Sequence, residues 1–116
     1  MGMRIPASMR KKFNLPKEPS KYRAERLVRD GLVMASKREA RRYDELVMLR
    51  DAGEVRWFIT QAPFRLDGGT KYLADFLVVW EDGTVTVEDA KGAKTALYLT
   101  KKREVEHKFG ITITEV

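Results

Sequence analysis

The feature that most constrains this chain is a carboxylate set inside an apolar run: Asp75 in Tyr72-Leu-Ala-Asp-Phe-Leu-Val-Val-Trp80. Leu73, Ala74, Phe76, Leu77 and Val78 are apolar at consecutive positions, which predicts a strand covered on both faces rather than an edge or bulge with its carboxylate in water. An acid placed there is costly unless it is paired or neutralised. In the following segment, Val85-Thr-Val-Glu-Asp-Ala-Lys-Gly92, alternation puts Val87, Asp89 and Lys91 on one face and Glu88 on the other. If the two strands pair, Asp75, Asp89 and Lys91 converge.

The rest of the chain supplies a frame for that pair. Residues 26–34 predict a short hairpin around Asp30-Gly31. Ser36 opens a helix to about Ala52, with Gly53 as its stop and Ala40, Tyr43, Leu46, Val47 and Leu49 on the core stripe. A first strand runs from Val55 to about Gln61 and is interrupted at Pro63. The second spans Lys71 to Trp80, and Asp82-Gly83 turns into the third, Thr84 to Ala90, which Gly92 breaks. Thr95 caps a second helix that ends near Gly110, and Ile111 to Val116 alternates as a last strand. That strand arrives through a helical crossover, so it should lie parallel to its neighbour. The expected fold is α/β: a mixed sheet in the order helix, three strands, helix, strand.

At 116 residues the chain suffices for one core, and 43% hydrophobic with 34% charged residues describes a globular domain. No apolar run approaches the ~18 residues of a membrane helix, and no apolar stretch follows the basic N-terminus as in a secretory signal, so a cytoplasmic location is expected. Cysteine is absent and His107 is the one histidine, which excludes Cys/His zinc sites, thiol nucleophiles and paired-histidine nucleases. No role is assigned to His107. A metal here must take oxygen ligands, which favours Mg²⁺ with Mn²⁺ as substitute. Asn14 and Gln61 are the only amides among many charges, a pattern of heat-adapted proteins.

Charge divides the chain unevenly. Residues 1–23 carry seven basic residues, Arg10, Lys11 and Lys12 among them, against Glu18 alone, which accounts for the whole net +6. Residues 24–116 are neutral and form the expected domain. The first segment, with Pro6, Pro16 and Pro19, reads as a flexible phosphate-binding arm, or as a merely solubilising tail.

Two acids and a lysine at a sheet edge are the parts that metal-assisted phosphodiester hydrolysis uses. Glu39 is a candidate third acid. Ser36-Lys-Arg-Glu39 is a capping box by sequence, with Glu39 expected to reach back to the Ser36 amide. Yet Glu39, Tyr43 and Leu46 also share the stripe facing the sheet. Gln61 is placed to orient a water or phosphate, or is a surface amide. Lys37, Lys94, Tyr98 and Lys101, with the Thr95 hydroxyl at a helix N-terminus, are candidate phosphate contacts, or an ordinary solvated face. Trp57, Trp80 and Phe109 are core or interface candidates.

These residues resemble the PD-(D/E)XK, or restriction-endonuclease-like, superfamily. Glu39 matches its first-helix acid, Asp75 its motif aspartate, and Asp89-Ala90-Lys91 its (D/E)-X-K. More closely, Ser36-Lys-Arg-Glu-Ala-Arg-Arg-Tyr43, Ala74-Asp-Phe76, Val87-Glu-Asp-Ala-Lys-Gly-Ala-Lys-Thr95 and Phe109-Gly-Ile111 look like a family of small phage-encoded nucleases, some of them Holliday junction resolvases. The similarity spans about residues 20–116. Ala74 departs from the proline of the motif, and Asp89 is shorter than the commoner glutamate. The resemblance implies a restriction-endonuclease-like core and a Mg²⁺-dependent structure-selective endonuclease. Glu39, Asp75 and Asp89 would hold the metal, Lys91 would stabilise the reacting phosphate, and a homodimer would act on branched DNA. Rivals are another nicking, repair or restriction-type nuclease of this fold, or a non-catalytic DNA-binding accessory protein.

Overall fold

A computed structural model describes residues 27–91 and 94–116 of the chain; the basic arm, with Arg10, Lys11 and Lys12, and the break expected at Gly92 lie outside the described residues. The first element is the expected hairpin, β1 (Val28–Arg29) against β2 (Leu32–Val33). Asp30 and Gly31 both take positive φ, 50° and 80°, the backbone that a two-residue turn of this hand demands. Helix α1 (Lys37–Asp51) follows, capped by the Ser36 hydroxyl, which accepts from the Glu39 N–H at 3.1 Å.

The main sheet has four strands in the order β3 (Val55–Arg65), β4 (Lys71–Trp80), β5 (Val85–Asp89), β6 (Ile113–Glu115). The first two junctions are antiparallel, and β6 joins β5 in parallel after the crossover through helix α2 (Ala96–Phe109). A mixed-sheet α/β fold with two helices is thus the architecture, in the predicted order. Boundaries differ in three places, one being β6, which holds only Ile113–Glu115 of the expected Ile111 to Val116. β3 does not stop before Pro63 but runs through it to Arg65; as an edge strand it loses no ladder bond to a proline whose missing N–H faces outward. β5 is shorter than expected and ends at Asp89, which leaves Lys91 beyond the strand rather than on its face.

The helices cover opposite faces of the sheet. One apolar cluster joins Ala40, Tyr43 and Leu46 of α1 to Met34, Val55, Phe76 and Val78. The other joins Val105 of α2 to Ala62, Leu66, Tyr72, Ala74, Val87 and Ile113. In β4, Ala74 belongs to the second cluster and Phe76 to the first, although regular alternation puts residues two apart on one face. The strand therefore changes faces at Asp75, and Ala74, Asp75 and Phe76 are buried in succession. Opposite Asp75, between the paired positions Thr60↔Phe76 and Ala62↔Ala74, Gln61 has φ of +53°. The sheet kinks there, and the kink is where the acids meet.

Of the aromatic candidates, Trp57 is half exposed on the sheet and Phe109 is 42% exposed, whereas Trp80 packs beside the α1 cluster and donates its indole N–H to the Thr86 hydroxyl at 2.8 Å.

Candidate metal and phosphate site

Asp75 and Asp89 stand directly across the β4–β5 ladder, one step past its last main-chain pair, Phe76↔Glu88. Their side chains complete that step. The Asp75 N–H donates to Asp89 Oδ1 at 2.9 Å, and the Ala90 N–H donates to Asp75 Oδ2 at 2.8 Å. Asp89 is fully buried and Asp75 nearly so. Burial pushes the Asp89 carboxyl up, partly offset by the Asp75 N–H and by Lys91. The two strand acids therefore converge as the sequence predicts.

Glu39 completes the group from the first turn of α1, and is 3% exposed. Its Oε2 accepts from the Ala35 N–H at 2.8 Å, not from the Ser36 amide as the capping box predicts. The hairpin delivers the chain so that Ala35, one residue earlier, presents the open donor. Burial, reinforced by the neighbouring Asp75 carboxylate, raises the Glu39 carboxyl to about 7. The residue is both a helix-end acceptor and a member of the acid group.

Two oxygens remain turned into the site, Glu39 Oε1 and Asp75 Oδ1. The Gln61 Nε2 amide lies 3.5 Å from the first and 3.4 Å from the second. Lys91 Nζ lies 3.5 Å from Asp75 Oδ1 with its side chain 36% exposed, so its ammonium reaches both the acids and solvent. The Lys91 carbonyl accepts from Arg38 Nη1 at 3.2 Å, which ties the segment after β5 to α1.

Two sequence assignments change. Glu88, placed by alternation on the face opposite Asp89, does face away from it, but is buried and gripped by Arg42 through Nε–Oε1 at 2.8 Å and Nη2–Oε2 at 2.7 Å. The partner lies 46 residues earlier in the chain. The only local hint was Arg42 on the same helix as Glu39, one turn on. Tyr98, a candidate phosphate contact or part of a solvated face, instead turns inward: it donates its hydroxyl to Asp89 Oδ2 at 3.2 Å and stacks its ring on Tyr72. The Thr95 oxygen accepts from the Tyr98 N–H, so it serves the helix end. Lys94 pairs with Glu115 at 2.6 Å, while Lys101 is half-buried and Lys37 exposed near the acids' end of α1.

An oxygen-only donor set suits a hard divalent cation, and Glu39 Oε1 and Asp75 Oδ1 both already face donor groups. Among the described residues no three acid or histidine side chains form a finished cage, and both oxygens of Asp89 are already engaged. Glu39 Oε1 and Asp75 Oδ1 are the oxygens left to face such a cation, while Asp89 is engaged by the Asp75 N–H and the Tyr98 hydroxyl.

Residues 19–114 match a family model described as a protein of unknown function, DUF1064. No curated protein and no solved structure matches the chain.

Proposed function

The chain belongs to the DUF1064 family, and we propose that it is a metal-dependent, structure-selective DNA endonuclease on a restriction-endonuclease-like core, acting as a Holliday junction resolvase. The observation that carries this is the convergence of buried Glu39, Asp75 and Asp89 with a half-exposed Lys91 at one kink of the sheet. Nothing in the packing of the two apolar clusters needs three buried acids there.

Glu39 and Asp75 would hold Mg²⁺ or Mn²⁺, with Asp89 beside them. Such an ion, when bound, polarises the scissile phosphate and lowers the pKa of a water. Lys91 supplies the mobile positive charge. Its ammonium can follow the charge that grows on the phosphate oxygens as water attacks in line and the opposite oxygen leaves. Arg38 holds the Lys91 backbone through its carbonyl. Basic residues of the arm, with Lys37, Lys94 and Lys101, would bind DNA phosphates and give affinity without reading bases. Two symmetric cuts require two copies, so the active form is taken as a homodimer.

One observation favours a second reading, a DNA-binding accessory protein that does not cut: the acids' bonds to backbone N–H groups also serve the fold. The test is cleavage of a labelled four-way junction with Mg²⁺ beside a duplex of the same sequence. Wild type should nick the junction symmetrically, and Lys91→Ala should lose at least about 100-fold in rate while still binding. Equal duplex cutting would point to a nicking, repair or restriction-type enzyme. Binding without cutting would point to the accessory protein.

A further inference from the structure

Gln61 combines three properties that the sheet alone does not require. Its φ of +53° lies in a region that a non-glycine residue in mid-strand rarely occupies, and such outliers persist where the surroundings hold them for a purpose. It is exposed, so its side chain has room to leave toward solvent. Its amide nitrogen sits between the two carboxylate oxygens that have no backbone donor, Glu39 Oε1 and Asp75 Oδ1. The other oxygen of each acid is fixed by a main-chain N–H at 2.8 Å.

The geometry points to Gln61 as a placeholder for a divalent cation: its amide fills the seat between Glu39 and Asp75 and must leave when the cation enters, so it sets the affinity of that seat. This rests on reading the acids as a metal site. At 3.4 and 3.5 Å the amide contacts are long and weak, hence readily exchanged. An amide N–H carries only a partial charge, which leaves the mutual repulsion of the carboxylates incompletely relieved and favours a true cation. Lys91 Nζ, at 3.5 Å from Asp75 Oδ1, adds a positive charge at one of these oxygens. Gln61 is thus a positioning residue, acting through the seat.

The test titrates the full chain with Mn²⁺ alone near neutral pH, by calorimetry, comparing wild type with Gln61→Ala, Gln61→Gly and Gln61→Lys, each checked for fold by circular dichroism. Alanine and glycine should each tighten Mn²⁺ binding by about three- to tenfold, since the competing donor is gone. Agreement between them assigns the effect to the amide rather than to relief of the backbone conformation. Lysine places a full charge at the same oxygens and should abolish binding at concentrations that saturate wild type. If the alanine and glycine variants bind no tighter than wild type, or the lysine variant binds equally well, Gln61 is no placeholder although the metal site stands. If wild type takes up no Mn²⁺, both the placeholder and the metal site fall.

Discussion

The two faces of the sheet are held by different means. On the α1 face, Leu46, Phe76 and Val78 are fully buried, and Tyr43, Phe58 and Phe76 meet edge to face with centroids 5.3 and 6.3 Å apart. Apolar contact carries that helix. On the α2 face, Val105 is the helix's one buried residue, while Trp57, Ile59 and Val85 remain open on the sheet. There the helix is fastened by polar contacts: Tyr98 to Asp89, Lys102 to Glu115, Lys108 to Asp67, and the Glu106 carboxylate accepting from the Ile113 N–H. The difference separates rigidity from responsiveness. Helix α1 brings Glu39 on an apolar mount that the Arg42–Glu88 pair also ties to β5, whereas the seating of α2, with one buried apolar residue, depends more on polar contacts such as that of Tyr98 with Asp89.

The largest effect that would break this contrast is a core truncation. Phe76→Ala should cost about 3–5 kcal/mol in urea unfolding, and Val105→Ala clearly less. Equal losses would mean that α2 is packed as firmly as α1. Next, Arg42→Ala leaves Glu88 buried without its partner and should cost about 3 kcal/mol. Lys102→Ala at the more exposed Glu115 should cost less than about 1 kcal/mol by the same assay.

A pH series sharpens the point. Glu39 has a folded-state value near 7 against 4.5 unbound by structure, so the folded chain holds its proton longer than the unfolded chain. Without divalent ions, this contribution should be full below about pH 4.5 and be lost as pH rises through 7, by an amount on the order of 1–3 kcal/mol. Glu39→Gln should flatten that slope. Urea midpoints at pH 5 and pH 8 decide it, and a rise in stability over this interval would overturn the assignment.

The smallest effects compare one substitution on the two faces. The Tyr43 hydroxyl donates to the Asp30 carboxylate, and burial with that bond pushes the phenol up to about 12. Tyr43→Phe should therefore cost about 1–2 kcal/mol. The buried Tyr72 hydroxyl finds no partner among the described residues, so Tyr72→Phe should be neutral or slightly stabilising. Matching thermal shifts would erase the distinction.

What the sequence disclosed follows the same division. The Asp30-Gly31 and Asp82-Gly83 turns, the Ser36 and Thr95 caps and the Gly110 stop, which takes φ of +64°, were legible because each is decided within a few residues. The convergence of Asp75 and Asp89 was legible too, since one tight turn fixes their register. Pro63 misled, because its neutrality depends on β3 being an edge strand, which only the assembled sheet decides. The Arg42–Glu88 pair and the inward turn of Tyr98 were hidden for a related reason: both are contacts between elements whose crossing positions no local pattern encodes. The left-handed backbone at Gln61 belongs to the kink, and glutamine gives no propensity signal for it.

The reciprocal bonds between Asp75 and the Asp89–Ala90 segment have one further consequence. Each carboxylate stands in for a peptide carbonyl, so the sheet's final rung is made of side chains. An alanine at either position would leave the facing N–H without its acceptor and open that rung. Both acids therefore bear on the closing of the sheet itself.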